Sequence, residues 1–179
     1  MASIIALLAA WLSAAPANTP WQIYTDQAAA FQVEIPGEFQ LQADSIETAI
    51  GTMVYHRYLC IPAEKPSGVS HFALHFSQYP PGTLSPDSIE LIKELLQETV
   101  ESTARNLEAT VIYTDDILLD EIFQGKFWRM DLKNGKVVAK SKAYFVNDRF
   151  YMLQTLSPLQ NNKNEDTDRF FNSFKLLHE

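Results

Sequence analysis

The sequence predicts an α+β fold in which an antiparallel sheet packs against helices within a single domain. Three observations carry that reading. Short runs in which apolar and polar residues alternate recur from Phe31 to Leu156, while apolar residues at helical spacing are confined to one long mid-chain stretch and one short stretch near the C-terminus. The closing strands are separated by tight turns of the kind that join antiparallel neighbours.

Taken in order, Phe31, Val33 and Ile35 alternate with Gln32 and Glu34, Pro36-Gly37 turns the chain, and Phe39-Gln40-Leu41 resumes the alternation. These are two short strands. Thr52 to Cys60 and His71 to Tyr79 read as a hairpin with a long loop, Ile61 to Ser70, and Phe72, Leu74 and Phe76 fall on one face of its second arm. Tyr79-Pro80-Pro81-Gly82 stops the sheet. A helix follows from about Pro86 to Asn106: Ser85 can cap it, Pro86 loses no needed hydrogen bond in the first turn, and Asp87 meets the positive end of the dipole. Ile89, Ile92, Leu95, Leu96 and Val100 line one side and Glu90, Glu94, Gln97, Glu98 and Glu101 the other, which is the solvated face. Four β-rich regions come next: Ala109 to Thr114, Ile117 to Phe123, Lys126 to Leu132, and a closing hairpin of Lys136 to Val146 and Arg149 to Leu156 around Asn147-Asp148. The chain ends in a short helix, Asp166 to Lys175, whose Phe170, Phe171 and Phe174 suit one buried face.

Met1 to Ala17 contains no charged side chain, has an apolar core from Ile4 to Leu12 and ends on Ala15-Pro16-Ala17. It reads as a secretory signal peptide cut after Ala17. Its apolar stretch is shorter than the roughly 20 residues of a spanning helix, so no stable membrane insertion is expected after cleavage. The organisation expected is therefore a signal peptide over 1–17, an N-terminal extension over 18–29 and one domain over 30–179, in an exported protein of the periplasm, the exterior or a lumen. Cys60 is the only cysteine, so no intramolecular disulfide forms and the core supplies the stability. The formal charge of -8 repels phosphate backbones, and the most basic stretch, Lys133 to Lys142, is broken by apolar residues. Nucleic-acid binding is excluded on that ground.

The alternating strand Phe31 to Pro36, the long mid-chain helix, the strand ending at Gly135, the run Ala143-Tyr144-Phe145-Val146-Asn147-Asp148-Arg149-Phe150-Tyr151-Met152-Leu153 and the final Phe170 to Leu176 together resemble the bacterial exported branch of the PsbP-like family. The likeness covers about Ala30 to Leu177. Its most specific part is the closing hairpin followed by Arg169-Phe170-Phe171-Asn172-Ser173-Phe174. The resemblance implies an α/β/α sandwich and a non-catalytic accessory or binding role, which in the plant and cyanobacterial branch includes photosystem assembly. No residue match carries a photosystem-binding site onto this chain.

Three groups of residues invite a sharper reading. If the hairpin pairs so that His56 faces His75 and Cys60 faces His71, all four share one face, and imidazole with thiolate suits zinc or copper. A slip of one residue undoes this, and the competing reading is polar histidines on a solvated face with Cys60 packed as a small apolar group. Asp115-Asp116 and Asp120-Glu121 flank Ile117-Leu118-Leu119, but a calcium loop interleaves its ligands with glycine and this run does not; the acids read as strand-ending, solubilising charges. Trp128, Tyr144 and Tyr151 on neighbouring strands could line a small apolar pocket, although rings at strand spacing more often fill a core. No nucleophile elbow, dinucleotide loop or P-loop occurs. The expectation is thus a non-enzymatic protein that needs no cofactor and works through contacts with an envelope or lumenal protein. The alternative is a carrier of a small apolar ligand between sheet and helix, and a third is a hydrolase with an unrecognised site.

Overall fold

In a computed structural model, which describes residues 20–48, 51–63, 65, 67–84 and 88–177, the alternating runs become two antiparallel sheets. The signal-peptide segment Met1 to Ala17 and the expected helix start Ser85-Pro86-Asp87 lie outside the described residues. In chain order the strands are β1 (Gln22–Asp26), β2 (Phe31–Ile35), β3 (Gln40–Thr48), β4 (Gly51–Cys60) and β5 (His71–Gln78), after which helix α1 (Ile89–Asn106) intervenes. Then come β6 (Thr110–Leu119), β7 (Phe123–Leu132), β8 (Val137–Val146), β9 (Arg149–Pro158), helix α2 (Glu165–Ser173) and β10 (Lys175–Leu176). The large sheet runs β3-β4-β5-β9-β8-β7-β6 and the small one β1-β2-β10.

The α+β reading holds, with three differences of detail. Residues 18–29 are expected ahead of the domain, yet Gln22–Asp26 pairs with β2 from Gln22 opposite Ile35 to Asp26 opposite Phe31. That segment buries no side chain, Gln22, Ile23 and Thr25 being exposed and Tyr24 and Asp26 half-buried, so it has no buried face to read; it is recruited by the buried strand beside it. The runs Ala109–Thr114 and Ile117–Phe123 are expected as two strands and form one, β6, with a bulge between Val111 and Tyr113. Asp115 and Asp116, which suggest a break, lie within the strand, because an exposed edge tolerates charge that a central strand does not. Helix α1 begins at Ile89 with Ser88 at the cap position, and Ile89 points outward.

The layers follow from the burial of each face. α1 lies on β7 and β8, where Ile92, Leu96 and Val100 meet Trp128, Met130, Ala139 and Phe145. On the other face α2 and the small sheet together cover Tyr58, Phe72, Tyr144 and Tyr151 with Phe31, Val33, Phe170 and Phe174. The large sheet is therefore sandwiched between one helix and a mixed layer of helix and sheet. Strands β8 and β9, at its centre, are buried on both faces and read as nearly continuous apolar runs.

The mixed layer is fixed by directional bonds. Asn164 caps α2 by accepting a 2.7 Å hydrogen bond from the Thr167 amide, and Glu165, Asp166 and Asp168 sit at the positive end of the helix dipole. The Glu34 amide donates to Ser173 Oγ at 2.9 Å, and Arg169 pairs with Glu34 at 2.6 Å while its guanidinium lies 4.5 Å from the Trp21 ring centre. Tyr151 donates to the Ala29 carbonyl and Tyr58 to Asp26 Oδ2, each at 2.7 Å. Gly125 faces Tyr144 across β7 and β8, and a Cβ there would stand 2.6 Å from the Ala143 carbonyl oxygen and inside the Tyr144 ring. Glycine is what lets that ring lie flat over the strand and stack on Phe174.

Candidate functional site

The hairpin histidines do not converge. Arg57 pairs with His75, His56 with Phe76 and Cys60 with Phe72, a register one residue away from the arrangement that would gather four ligands. His56 and Cys60 therefore share the face of Tyr58 and Phe76, while His71 and His75 share the opposite one. The reason is burial. Phe72, Leu74 and Phe76 must lie on the same core face as Tyr58 and Cys60, and the long loop between the strands imposes no competing register. His75 Nδ1 instead bonds the Tyr55 hydroxyl, His56 Nδ1 stands 3.4 Å from the Tyr58 hydroxyl, and His71 Nδ1 stands 2.8 Å from Ser70 Oγ. Burial pushes the Cys60 thiol up to about 11, away from the thiolate a metal or a nucleophile requires.

The aromatic trio also separates. Tyr144 and Tyr151 are cross-strand partners on the face under the small sheet, whereas Trp128, opposite Ser141, points to the face under α1. An even spacing between Trp128 and Tyr144 in sequence does not survive the turn between their strands, because the pairing decides which residues share a face. The sheet itself lies between Trp128 and the two tyrosines. Tyr144 is pushed up to about 12, first by burial and then by the charge of Asp120. The acidic pairs are likewise apart: Asp116 binds Lys126 at 2.5 Å, Asp115 lies on the other face, and Asp120 and Glu121 form the β6–β7 turn with φ of 51° and 60°. Among the described residues no three His, Cys, Asp or Glu side chains are grouped as a metal ion would need.

Two features that the sequence reading misses have shapes suited to binding. The first is the outer edge of β6, which no strand pairs among the described residues. Val111, Ile112, Tyr113 and Leu118 stand out from it, Ile112 with 47% and Leu118 with 52% of its surface exposed. A hydrophobic strand on an open edge presents both backbone donors and apolar side chains to an incoming chain. Its signal was present as a run of β-branched residues, but sequence does not tell an edge strand from a central one.

The second is a cavity of about 520 Å³ at the end of the mixed layer, where the β6–β7 turn, the β8–β9 turn and the chain after β10 come together. Ala30, Ile122, Phe123, Val146, Leu176 and Leu177 supply its apolar wall, and Gln78, Asp120, Asn147, Asp148, Arg149 and Tyr151 its polar one. Tyr151 is thus the single member of the aromatic trio that lines it. Gln78 Nε2 donates to the carbonyls of Tyr79 and Asp148, both at 3.1 Å, which turns Gln78 Oε1 toward Arg149 Nε at 3.2 Å. Arg149 has no carboxylate within ion-pairing distance among the described residues. Asp148 does not serve it, because both its carboxylate oxygens accept backbone amides, Gly82 at 2.8 Å and Leu84 at 2.9 Å. The residues come from five separate segments, so no local spacing could have announced them.

Among solved structures the chain is similar to cyanobacterial PsbP (CyanoP) from Synechocystis sp. PCC 6803, with a TM-score of 0.56 and 10% sequence identity over 88% of this chain and 93% of that one. No protein-family model matches the sequence, and a search of curated proteins finds no match either. The likeness establishes a PsbP-like fold, as the closing hairpin and final helix imply.

Proposed function

We propose that this PsbP-like domain is an exported, non-enzymatic accessory protein that binds another protein of the envelope or lumen, pairing an extended segment of that partner with the open edge of β6. The observation that carries the reading is β6 itself: ten residues, open along one edge, with four exposed apolar side chains. Strand addition uses the backbone for affinity and alternate side chains for specificity. Asp115 at mid-strand, on the face opposite the Asp116–Lys126 ion pair, sets the partner's charge. Two copies of this edge would bring their carboxylates together, so the complementary segment is a different chain that carries Lys or Arg between apolar residues. Export is supported by the Met1–Ala17 pattern, and among the described residues no helix is long and apolar enough to cross a membrane.

A photo-cross-linking residue at Thr114 should trap one protein from the source envelope, and excess unlabelled domain should compete it away. The same probe at Leu159, an exposed site away from β6, should not. The double substitution Val111→Lys, Leu118→Lys should abolish the product while leaving stability unchanged to within about 0.5 kcal/mol, as for exposed positions in general. A product that persists in that variant, or is not competed, rejects β6 as the docking edge. N-terminal sequencing should begin at Asn18; finding Met1 or Ala2 in a cytoplasmic fraction would overturn the compartment alone.

A further inference from the structure

A guanidinium has five N–H donors, and Arg149 spends its Nε on Gln78. The remaining donors have no protein acceptor among the described residues, in a half-buried position lining a cavity of about 520 Å³. Its neighbours hold it there. Gln78 is itself oriented by two carbonyls, and the Tyr151 hydroxyl is pinned by the Ala29 carbonyl. A cation kept in one place with donors unspent, beside an apolar wall, is a receptor for an anion that has an apolar body. The volume lies within the range of small-molecule sites, about 300–1,000 Å³.

The charges around the cavity narrow the class. Asp120 and Asp148 stand on the same wall, so a dianionic phosphate head would meet two acids for its one arginine. A single negative charge with two oxygens matches the fork of the guanidinium. We propose that the cavity binds a small amphipathic carboxylate, with its head on Arg149 and its apolar body against Ile122, Phe123, Val146, Leu176 and Leu177. Ile122, with 69% of its surface exposed at the tip of the β6–β7 turn, forms the rim. The site is separate from the β6 edge, and either assignment stands without the other.

The test is a titration of the mature protein with octanoate, octanol and octylammonium, followed by calorimetry and by amide chemical shifts. Octanoate should bind one to one and shift Phe123, Val146 and Leu177, and octanol should bind at least tenfold more weakly. Arg149→Met should weaken octanoate by about tenfold or more, the size expected of a charged hydrogen bond. Ile122→Glu, at an exposed position where folding is not at stake, should weaken it too and keeps the test decisive if the arginine variant does not fold. Equal binding of octanol would reduce the site to an apolar cleft. Preference for octylammonium would assign the head group to Asp120. Unchanged affinity in both variants, or shifts centred elsewhere, would also overturn the proposal.

Discussion

The two faces of the seven-stranded sheet are covered by different means. Under α1 the contact mixes aliphatic, sulfur and aromatic groups, Ile92, Leu96 and Val100 on Met130, Ala139, Met152, Trp128 and Phe145, and among the described residues no hydrogen bond or ion pair joins that helix to the sheet. Under α2 and the small sheet the contact is aromatic, and buried hydroxyls, a salt bridge and a ring–guanidinium contact cross it. Dispersion between apolar groups has no preferred direction, whereas a hydrogen bond weakens steeply once its angle falls below about 120°. One layer is thus located by shape, the other by shape and direction. The face held by direction is the one that frames the Arg149 cavity, where geometry must be kept for binding.

The largest expected effect tests the aromatic face. Phe174 follows α2 and touches Phe31, Tyr144 and Tyr151, so Phe174→Ala should cost about 3–5 kcal/mol in a denaturant titration. An unchanged midpoint would mean that the mixed layer does not cover the core. Next comes its directional part: Tyr58→Phe removes a hydroxyl that donates to Asp26 and leaves a half-buried carboxylate short of a donor, at an expected cost of about 1.5–3 kcal/mol near neutral pH. A loss close to zero would erase the distinction between the two faces.

On the α1 side of the sheet, His75 of β5 lies beyond β7 and β8, the strands that α1 covers. Burial, and then the charge of Arg57, pushes the His75 imidazole down from 6.5 to about 4. The unfolded chain takes up a proton near pH 6.5 and the folded one only near pH 4, so stability is full above pH 6.5 and falls as the pH drops through that window. Because His75 keeps some surface open, the loss is discounted to about 1–2 kcal/mol. Unfolding at pH 7 and pH 4.5 should show it, and His75→Gln should reduce the slope. An equal slope in both proteins would place the proton elsewhere. The smallest effect is expected at Trp128, whose buried Nε1 has no hydrogen-bond partner among the described residues. Trp128→Phe gives up volume but also removes an orphaned donor, leaving a net cost of about 1 kcal/mol. A loss of several kcal/mol would reveal a partner for that nitrogen and with it a directional bond on the α1 face.

Elements whose two faces differ were readable in advance. β2, with Phe31, Val33 and Ile35 buried, is of this kind, and the β8–β9 hairpin, buried on both faces, was readable instead from the turn chemistry at Asn147. What escaped was set by non-local partners. β1 exists because β2 offers it an edge, and the β4–β5 register is dictated by which side of Tyr58 and Phe72 meets the small sheet. The same holds for sites. His56, Cys60, His71 and His75 are near one another in sequence and divided by the pleat, while Gln78, Asp120, Arg149 and Leu177 are scattered in sequence and assembled by topology.

The bond from the Glu34 amide to Ser173 closes a loop of 139 positions, and β10 then completes the small sheet on β2. Bringing such distant segments together is entropically late compared with closing the two-residue turn between β8 and β9. In the order of folding, then, the sheet forms with its aromatic face bare, and the lid over that face arrives only with the final residues of the domain. A ribosome-bound or truncated chain that stops before Glu165 lacks Phe170 and Phe174 and leaves Tyr144, Tyr151 and Phe72 without those rings over them, and synthesis of α2 and Phe174 is the moment at which that exposure ends.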